Sequence, residues 1–355
     1  MSTGTQEPIF LPQGIADPAG RTGFFAAGAE SIEAISLADG SLLWRAVAFI
    51  RPLIASGHRL AAQAPSVPKK SNALRIVLLD VTRRGESVLT SDPVLLPEWV
   101  DCLSSDPEIF QCRARLEVRA LVLAWEAHGR YSGGVPPPRQ VVQQAARDAS
   151  GLVRMDLETG RIEAVAAPPS ISQATLREAD TPSSSPDVIW HTEPWQIGDR
   201  LAALAMKEES LGQSFHLETW SPGSSETTLE QFELARGTGM APALSSNGKY
   251  VLVEPDESEP GPRGPQRPWW IFDATTGLHV ATVPHEGGAR EPCIVGSRLY
   301  YLVREPARVS PDTAVRTVLR ARDLNSGELL WERLLGSPGT AMAPELPRGA
   351  ESSDP

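Results

Sequence analysis

The 355-residue chain is short of cysteine, of aromatic side chains and of basic charge, and each shortage removes a class of protein. Its three cysteines, Cys102, Cys112 and Cys293, are too few and too far apart for a disulfide framework or a zinc knuckle. They read as reduced thiols. Lys and Arg number 33 against 44 Asp and Glu, a formal charge of -11. Nucleic acid and anionic membranes need clustered cations, so neither is an expected partner. Long apolar runs are missing as well. The most apolar stretch, LLWRAVAFIRPLIA, is broken by Arg45, Arg51 and Pro52 and is too short to span a bilayer. The opening residues MSTGTQEPIFLPQG lack the basic-then-apolar order of a secretory signal, so a cytoplasmic protein without membrane insertion is expected.

Signatures of catalysis are equally scarce. The six histidines, His58, His128, His191, His216, His279 and His285, show no metal-ligand spacing. There is no Gly-x-Ser-x-Gly elbow, phosphate loop or dinucleotide fingerprint. Carboxylate pairs such as Glu208 with Glu209 and Asp256 with Glu257 fall in polar stretches, where solvation explains them. No catalytic residue, cofactor or metal is expected from these residues.

Glycine and proline, by contrast, are plentiful, at 29 and 32 residues. With only 22% charged residues, this composition suits many short strands joined by turns, an all-β fold. One fragment recurs. Aligned on a glycine, it reads SLADGSLLW at Ser36–Trp44, DLETGRIEA at Asp156–Ala164, DATTGLHVA at Asp273–Ala281 and DLNSGELLW at Asp323–Trp331. A copy with one extra residue, LLDVTRRGESVL, surrounds Gly85, and a worn one, HLETWSPGSSETTL, surrounds Gly223. Glycine supplies the positive φ that ends a tight turn, and Asp or Ser at its head can hold the turn backbone. Alternation beyond the glycine then puts Leu42 with Trp44, or Leu329 with Trp331, on one face of a strand.

A second turn accompanies each copy: GHRL at Gly57–Leu60, GDRL at Gly198–Leu201, NGKY at Asn247–Tyr250 and GSRL at Gly296–Leu299, with AGRTGFF at Ala19–Phe25 as the N-terminal member. Two hairpins per unit predict four strands per unit. The glycines at 40, 85, 160, 223, 277 and 327 recur at 45 to 75 residues, the spacing of β-propeller blades. The expected fold is an all-β propeller of six four-stranded blades, with seven as the alternative should the longest interval hide a unit. Residues 8–347 form one domain in this reading, and 348–355 a disordered tail.

The segments AISLADGSLLWRA and RARDLNSGELLWERLL resemble the tryptophan-bearing repeat of the pyrroloquinoline quinone (PQQ)-like, quinoprotein-type propellers. In that repeat an Asp-x-x-Thr-Gly turn is followed by a docking Trp, here Trp44 and Trp331. The resemblance implies the propeller fold. Enzymes of the family use PQQ with a divalent metal and often a ring of adjacent cysteines, which this sequence lacks, while other members are scaffold subunits. The expected function is a non-catalytic scaffold that binds a protein partner, with no cofactor. The alternative is a quinoprotein-type or other propeller enzyme with its site at the channel mouth.

Strand order sorts the connections by face. The glycine turns fall on one face, and the long segments fall on the other: APSVPKKSNA, AHGRYSGGVPPPRQVVQQAARDAS, KEESLGQS, PDESEPGPRGPQRP, EPARVSPDTAVRT and the crossing PPSISQATLREADTPSSSPD. Rigid scaffolds display function on such loops, so the long-loop face is the expected binding face. Within the 24-residue insert, Val141, Val142, Ala145 and Ala146 follow a proline run at helical spacing. The segment PDESEPGPRGPQRP reads as a mobile excursion. Candidate partner-contacting residues are Arg130 and Tyr131 in the insert, with Trp190 and Trp195, because aromatic and Arg side chains anchor interfaces. Of the pair Trp269 and Trp270, at least one is expected to be buried between blades. Finally, AMAPELPRG near the C-terminus resembles GMAPALSSNG at Gly239–Gly248. Met342–Leu346 is therefore expected as the inner strand of the first blade, with Ile9–Ala16 as the competitor for that slot.

Overall fold

A computed structural model describes residues 8–28, 30–66, 69–104, 109–129, 147–165, 188–190, 195–197, 199–209, 212–221, 230–236, 238–245, 248–255, 259–261, 264–285, 289–306 and 315–336. Among them the regular structure is entirely β, in six antiparallel sheets that follow the sequence. The first sheet holds β1 (Ile9–Leu11), β2 (Gly14–Ala16), β3 (Thr22–Ala26), β4 (Ser31–Ser36) and β5 (Leu42–Val47) in that order. The second holds β6 (Arg51–Ser56), β7 (Arg59–Ala64), β8 (Ala73–Asp80) and β9 (Glu86–Thr90), with β10 (Val94–Leu95) added beside β8. The third is β11 (Phe110–Leu116), β12 (Ala120–Gly129), β13 (Arg147–Asp156) and β14 (Ile162–Val165).

In the fourth sheet the inner position is split between β15 (Val188–Trp190) and β16 (Trp195–Ile197), both pairing β17 (Arg200–Glu209), followed by β18 (Gly212–Trp220) and β19 (Glu230–Arg236). The fifth runs β20 (Thr238–Leu244), β21 (Tyr250–Pro255), β23 (Gly264–Asp273) and β24 (His279–His285), with β22 (Glu259–Gly261) also on β23. The sixth is β25 (Ala289–Val295), β26 (Arg298–Pro306), β27 (Val315–Asp323) and β28 (Leu329–Leu334).

The recurring glycine turns form for local reasons. At each, the Gly N–H closes back on the carbonyl at the turn's head: Gly40 on Ser36, Gly85 on Asp80, Gly160 on Asp156, Gly277 on Asp273 and Gly327 on Asp323, at 2.8 to 3.0 Å. The Asp carboxylate accepts from the amides two and three residues on, as Asp323 Oδ1 does from Asn325 and Ser326 at 2.8 and 2.9 Å. All five glycines have φ between 67° and 80°, a left-handed conformation that L side chains resist.

Burial then joins sheet to sheet. Buried apolar clusters link the first sheet to the second through Phe24, Trp44 and Leu60, and the second to the third through Leu78, Phe110 and Trp125. Others link the fourth to the fifth through Leu204, Leu217 and Phe272, and the fifth to the sixth through Trp269, Ile271 and Tyr301. The sixth meets the first through Phe25, Leu37, Tyr300 and Trp331. Sheets from opposite ends of the chain therefore pack side by side, and five of the six seams of a ring are present; among the described residues no buried cluster joins the third sheet to the fourth. Trp269 is fully buried, donates from Nε1 to Glu254 Oε2 at 3.1 Å and meets Tyr301 edge-on at 4.9 Å. Its neighbour Trp270 is partly buried against the preceding seam.

Three expectations are corrected. The slot beside β3 is taken by β2, which pairs Gly14 with Phe25 and Ala16 with Gly23, so the N-terminal competitor occupies the position expected for Met342–Leu346. Ile15, 2% exposed, is what anchors it in the seam with the second sheet. The stretch KEESLGQS is no long loop, because β17 and β18 continue pairing to Glu209 opposite Gly212. Likewise PDESEPGPRGPQRP is no simple excursion: β22 and β23 pair from Glu259 opposite Gln266 to Gly261 opposite Gly264. In both, backbone ladder bonds order a segment whose side chains give no alternation signal. The C-terminal segment and the helix expected over 139–146 lie outside the described residues.

Candidate functional site

The two faces of the stack are built differently. On one, the chain turns tightly at Gly20, Gly40, Gly57, Gly85, Gly160, Gly248, Gly277, Gly296 and Gly327, every one at positive φ. The opposite face carries the connections between second and third strands and the crossings between sheets. Its best-described part lies over the second and third sheets, where the crossing after β9 is pinned down by side chains from beneath. Gln63, fully buried, donates to the Cys102 carbonyl at 2.8 Å, and Asn72 Nδ2 donates to the Leu96 carbonyl at 2.9 Å. Arg51 donates to the Ser104 carbonyl and stacks its guanidinium 5.6 Å from the centre of the Phe110 ring. Burial pushes the Cys102 thiol up to about 12 and raises Cys112 and Cys293 as well, so none of the three is an activated thiolate.

The sequence candidates do not converge. Arg130 and Tyr131 fall between β12 and β13 in the sequence and lie outside the described residues. Trp190 ends β15, with its backbone opposite Ala205. Trp195 lies in β16, opposite Ala202 and close to the glycine-turn end of its sheet. Its half-buried indole donates from Nε1 to the Gly248 carbonyl at 3.2 Å and covers that glycine, contacting the next sheet. Trp195 therefore sits at the opposite end of its sheet from the β17–β18 turn. Among the described residues, no three His, Cys, Asp or Glu side chains gather as a metal-binding group, and no helix is long and apolar enough to cross a membrane.

Sequence reading passed over a charged face on the third sheet. Strand pairing aligns Arg113 with Ala124 and Leu152, and Arg115 with Val122 and Arg154. Glu117 bridges the second row, accepting from Arg115 Nη2 at 3.3 Å and Arg154 Nη1 at 2.6 Å. Its signal was the alternation in QCRARL, where arginine occupies every second position.

No protein-family model matches this chain, and no curated protein is similar to it. Among solved structures it is similar to BamB from Moraxella catarrhalis, at 13% identity over 90% of this chain and 75% of that one, with a TM-score of 0.28. Kluyveromyces lactis Hsv2 is 10% identical over 93% of this chain and 98% of its own, with a TM-score of 0.36. The β-propeller domain of Cps50 (Swd1) from Myceliophteria thermophila is 13% identical over 92% and 97%, with a TM-score of 0.31. The fold is accordingly argued from this chain's own strand pairing and seams.

Proposed function

We propose that the chain is a six-bladed propeller of the PQQ-like repeat type, serving as a non-catalytic scaffold that binds a protein partner through its long-loop face. The supporting observation is the asymmetry between faces. Nine positive-φ glycine turns close one side among the described residues, while on the other only the β3–β4 turn at Gly28 and the β17–β18 hairpin are as compact, and 17 residues, 130–146, separate β12 from β13 in the sequence. A rigid stack displaying variable loops on one side is suited to presenting an interface. The six sheets supply six blades in this reading, with β1, β10 and β22 as additions to a four-stranded plan. A cytoplasmic setting is part of the proposal, and the free thiols of Cys102, Cys112 and Cys293 fit a reducing compartment.

Arg130, Tyr131, Trp190 and Trp195 are the residues proposed to touch the partner. Arg130 and Tyr131 come first in the test, since Trp195 already contacts Gly248 in the next sheet. The experiment is affinity capture from the native host with the intact chain, with residues 130–146 replaced by a short Gly-Ser linker, and with Arg130→Ala/Tyr131→Ala. Loss of a specifically captured protein in both variants supports the reading. Undiminished capture by the linker variant overturns it.

A further inference from the structure

The third sheet turns one face into the core it shares with the second sheet and leaves the other open, with Ala124, Glu126 and Ser150 exposed. Charge on that open face is unevenly compensated. Glu117 holds Arg115 and Arg154, whereas Arg113, in the neighbouring row, forms no ion pair among the described residues. Beside Arg113 lie Ala124 and Leu152, in register across β12 and β13. Phe10 of β1, itself half exposed, and Pro8 line with these residues, Val122 and Arg115 a half-open cleft of about 200 Å³. A cation is thus set at the edge of an apolar floor with an aromatic wall.

We propose that this cleft binds a small organic monoanion: a carboxylate on a compact apolar body. A guanidinium fork matches a carboxylate's two oxygens and forms charge-assisted bonds to it. The apolar body covers Ala124, Leu152 and Phe10, which an inorganic anion would leave bare. Size sets a ceiling, because drug-sized ligands occupy roughly 300 Å³ or more. Charge sets another. The Arg115 that also lines the cleft is already paired with Glu117, and the chain's net charge of -11 opposes a second negative charge on the ligand. This site is independent of the partner-binding face and stands or falls without it.

The test titrates the full-length protein with benzoate, and with benzyl alcohol as its uncharged counterpart, followed by calorimetry or ligand-observed NMR. Benzoate is expected to saturate with a dissociation constant in about the millimolar range, as befits roughly nine non-hydrogen atoms. Arg113→Ala should weaken benzoate about tenfold and leave benzyl alcohol unchanged, since only the charged bond is removed. Phe10→Ala should weaken both ligands. The proposal is overturned if benzoate does not saturate, if it binds no tighter than benzyl alcohol, or if either substitution leaves benzoate binding unchanged.

Discussion

The indole of Trp331, in the last sheet, lies on Gly40, in the first: a methyl built on Gly40 would come within 2.7 Å of the Trp331 ring. The same contact recurs around the stack. Trp44 covers Gly85, Leu89 covers Gly160 and Phe232 covers Gly277, each reaching from one sheet to the glycine turn of the next. Where the reaching side chain is small the contact is missing. Ala281 stands at the matching position before the sixth sheet, and nothing comes within 4 Å of a methyl on Gly327.

Alanine at two of these glycines should therefore behave differently. Both have left-handed φ, 74° at Gly40 and 70° at Gly327, so each substitution carries about 1 to 2 kcal/mol of backbone strain. Gly40→Ala adds overpacking against the Trp331 ring, about 1 to 3 kcal/mol more. Denaturant titration should show Gly40→Ala to be clearly the more destabilising of the two. Equal losses would mean that the indole is not seated on that turn.

Trp331→Ala should cost about 3 to 5 kcal/mol, the usual range for a large buried aromatic. The side chain is only 8% exposed, and its Nε1 donates to the Leu37 carbonyl at 3.3 Å, across the seam between sixth and first sheets. Trp331→Phe keeps most of the burial and should lose less. Thermal unfolding of the two variants ranks them.

Glu33 is fully buried and joins two sheets, bonding Arg45 in its own sheet and Arg333 Nε in the sixth at 3.3 Å. Although Arg333 keeps its bond to the Gly40 carbonyl at 3.3 Å, removing the carboxylate takes the shared anion from both guanidinium groups. Because these keep 23% and 19% exposure, Glu33→Ala should cost about 2 to 3 kcal/mol, below the range for a wholly buried pair. A loss within experimental error would show that the bridge contributes nothing.

The turn aspartates predict an acid limb in stability. The Thr82 hydroxyl lowers the carboxyl of Asp80, the Thr159 amide lowers Asp156 and the Ser326 amide lowers Asp323. A group whose folded pKa is depressed stabilises the fold above its unfolded value, near 3.9, and loses that contribution as pH falls through the folded value. Melting temperature should thus drop below about pH 4, and the triple variant Asp80→Asn/Asp156→Asn/Asp323→Asn should show a shallower drop. An identical acid limb in the variant would assign it to other carboxylates.

What could be read from sequence was what is locally determined. A glycine needing positive φ and an Asp or Ser at the turn's head, the Asp bonding the amides two and three residues on, are five-residue chemistry, so the turns at Gly40, Gly160, Gly277 and Gly327 declared themselves, and with them the succession of sheets. The inner strand of the first sheet did not. Two segments, Ile9–Ala16 and Met342–Leu346, had plausible strand character, and the choice rests on Ile15 fitting a seam that only the folded stack creates. The β17–β18 hairpin was hidden because Lys207 opposite Ser214 and Glu208 opposite Gln213 are held by backbone pairing, with no apolar alternation to mark them. The Arg113 cleft escaped for a related reason. Its wall at Phe10 lies about a hundred residues away in the chain, and only the folded arrangement of sheets brings Phe10 to the cleft beside Arg113.

The sixth sheet packs against the first, and the proposed ring depends on that contact. Gly336, just past β28, packs against Gly28 in the β3–β4 connection, so the sixth sheet ends beside the first. The most direct test is a circular permutant in which Gly336 is joined to Pro8 by a Gly-Ser linker of about a dozen residues, long enough to run the height of the first sheet, and new termini are placed within residues 130–146. A closed stack predicts cooperative unfolding with a melting temperature within about 5 °C of the parent, a shift worth about 1 to 2 kcal/mol or less. If the permutant fails to fold while a simple insertion at the same place in 130–146 is tolerated, the sixth and first sheets are not neighbours and the ring is contradicted.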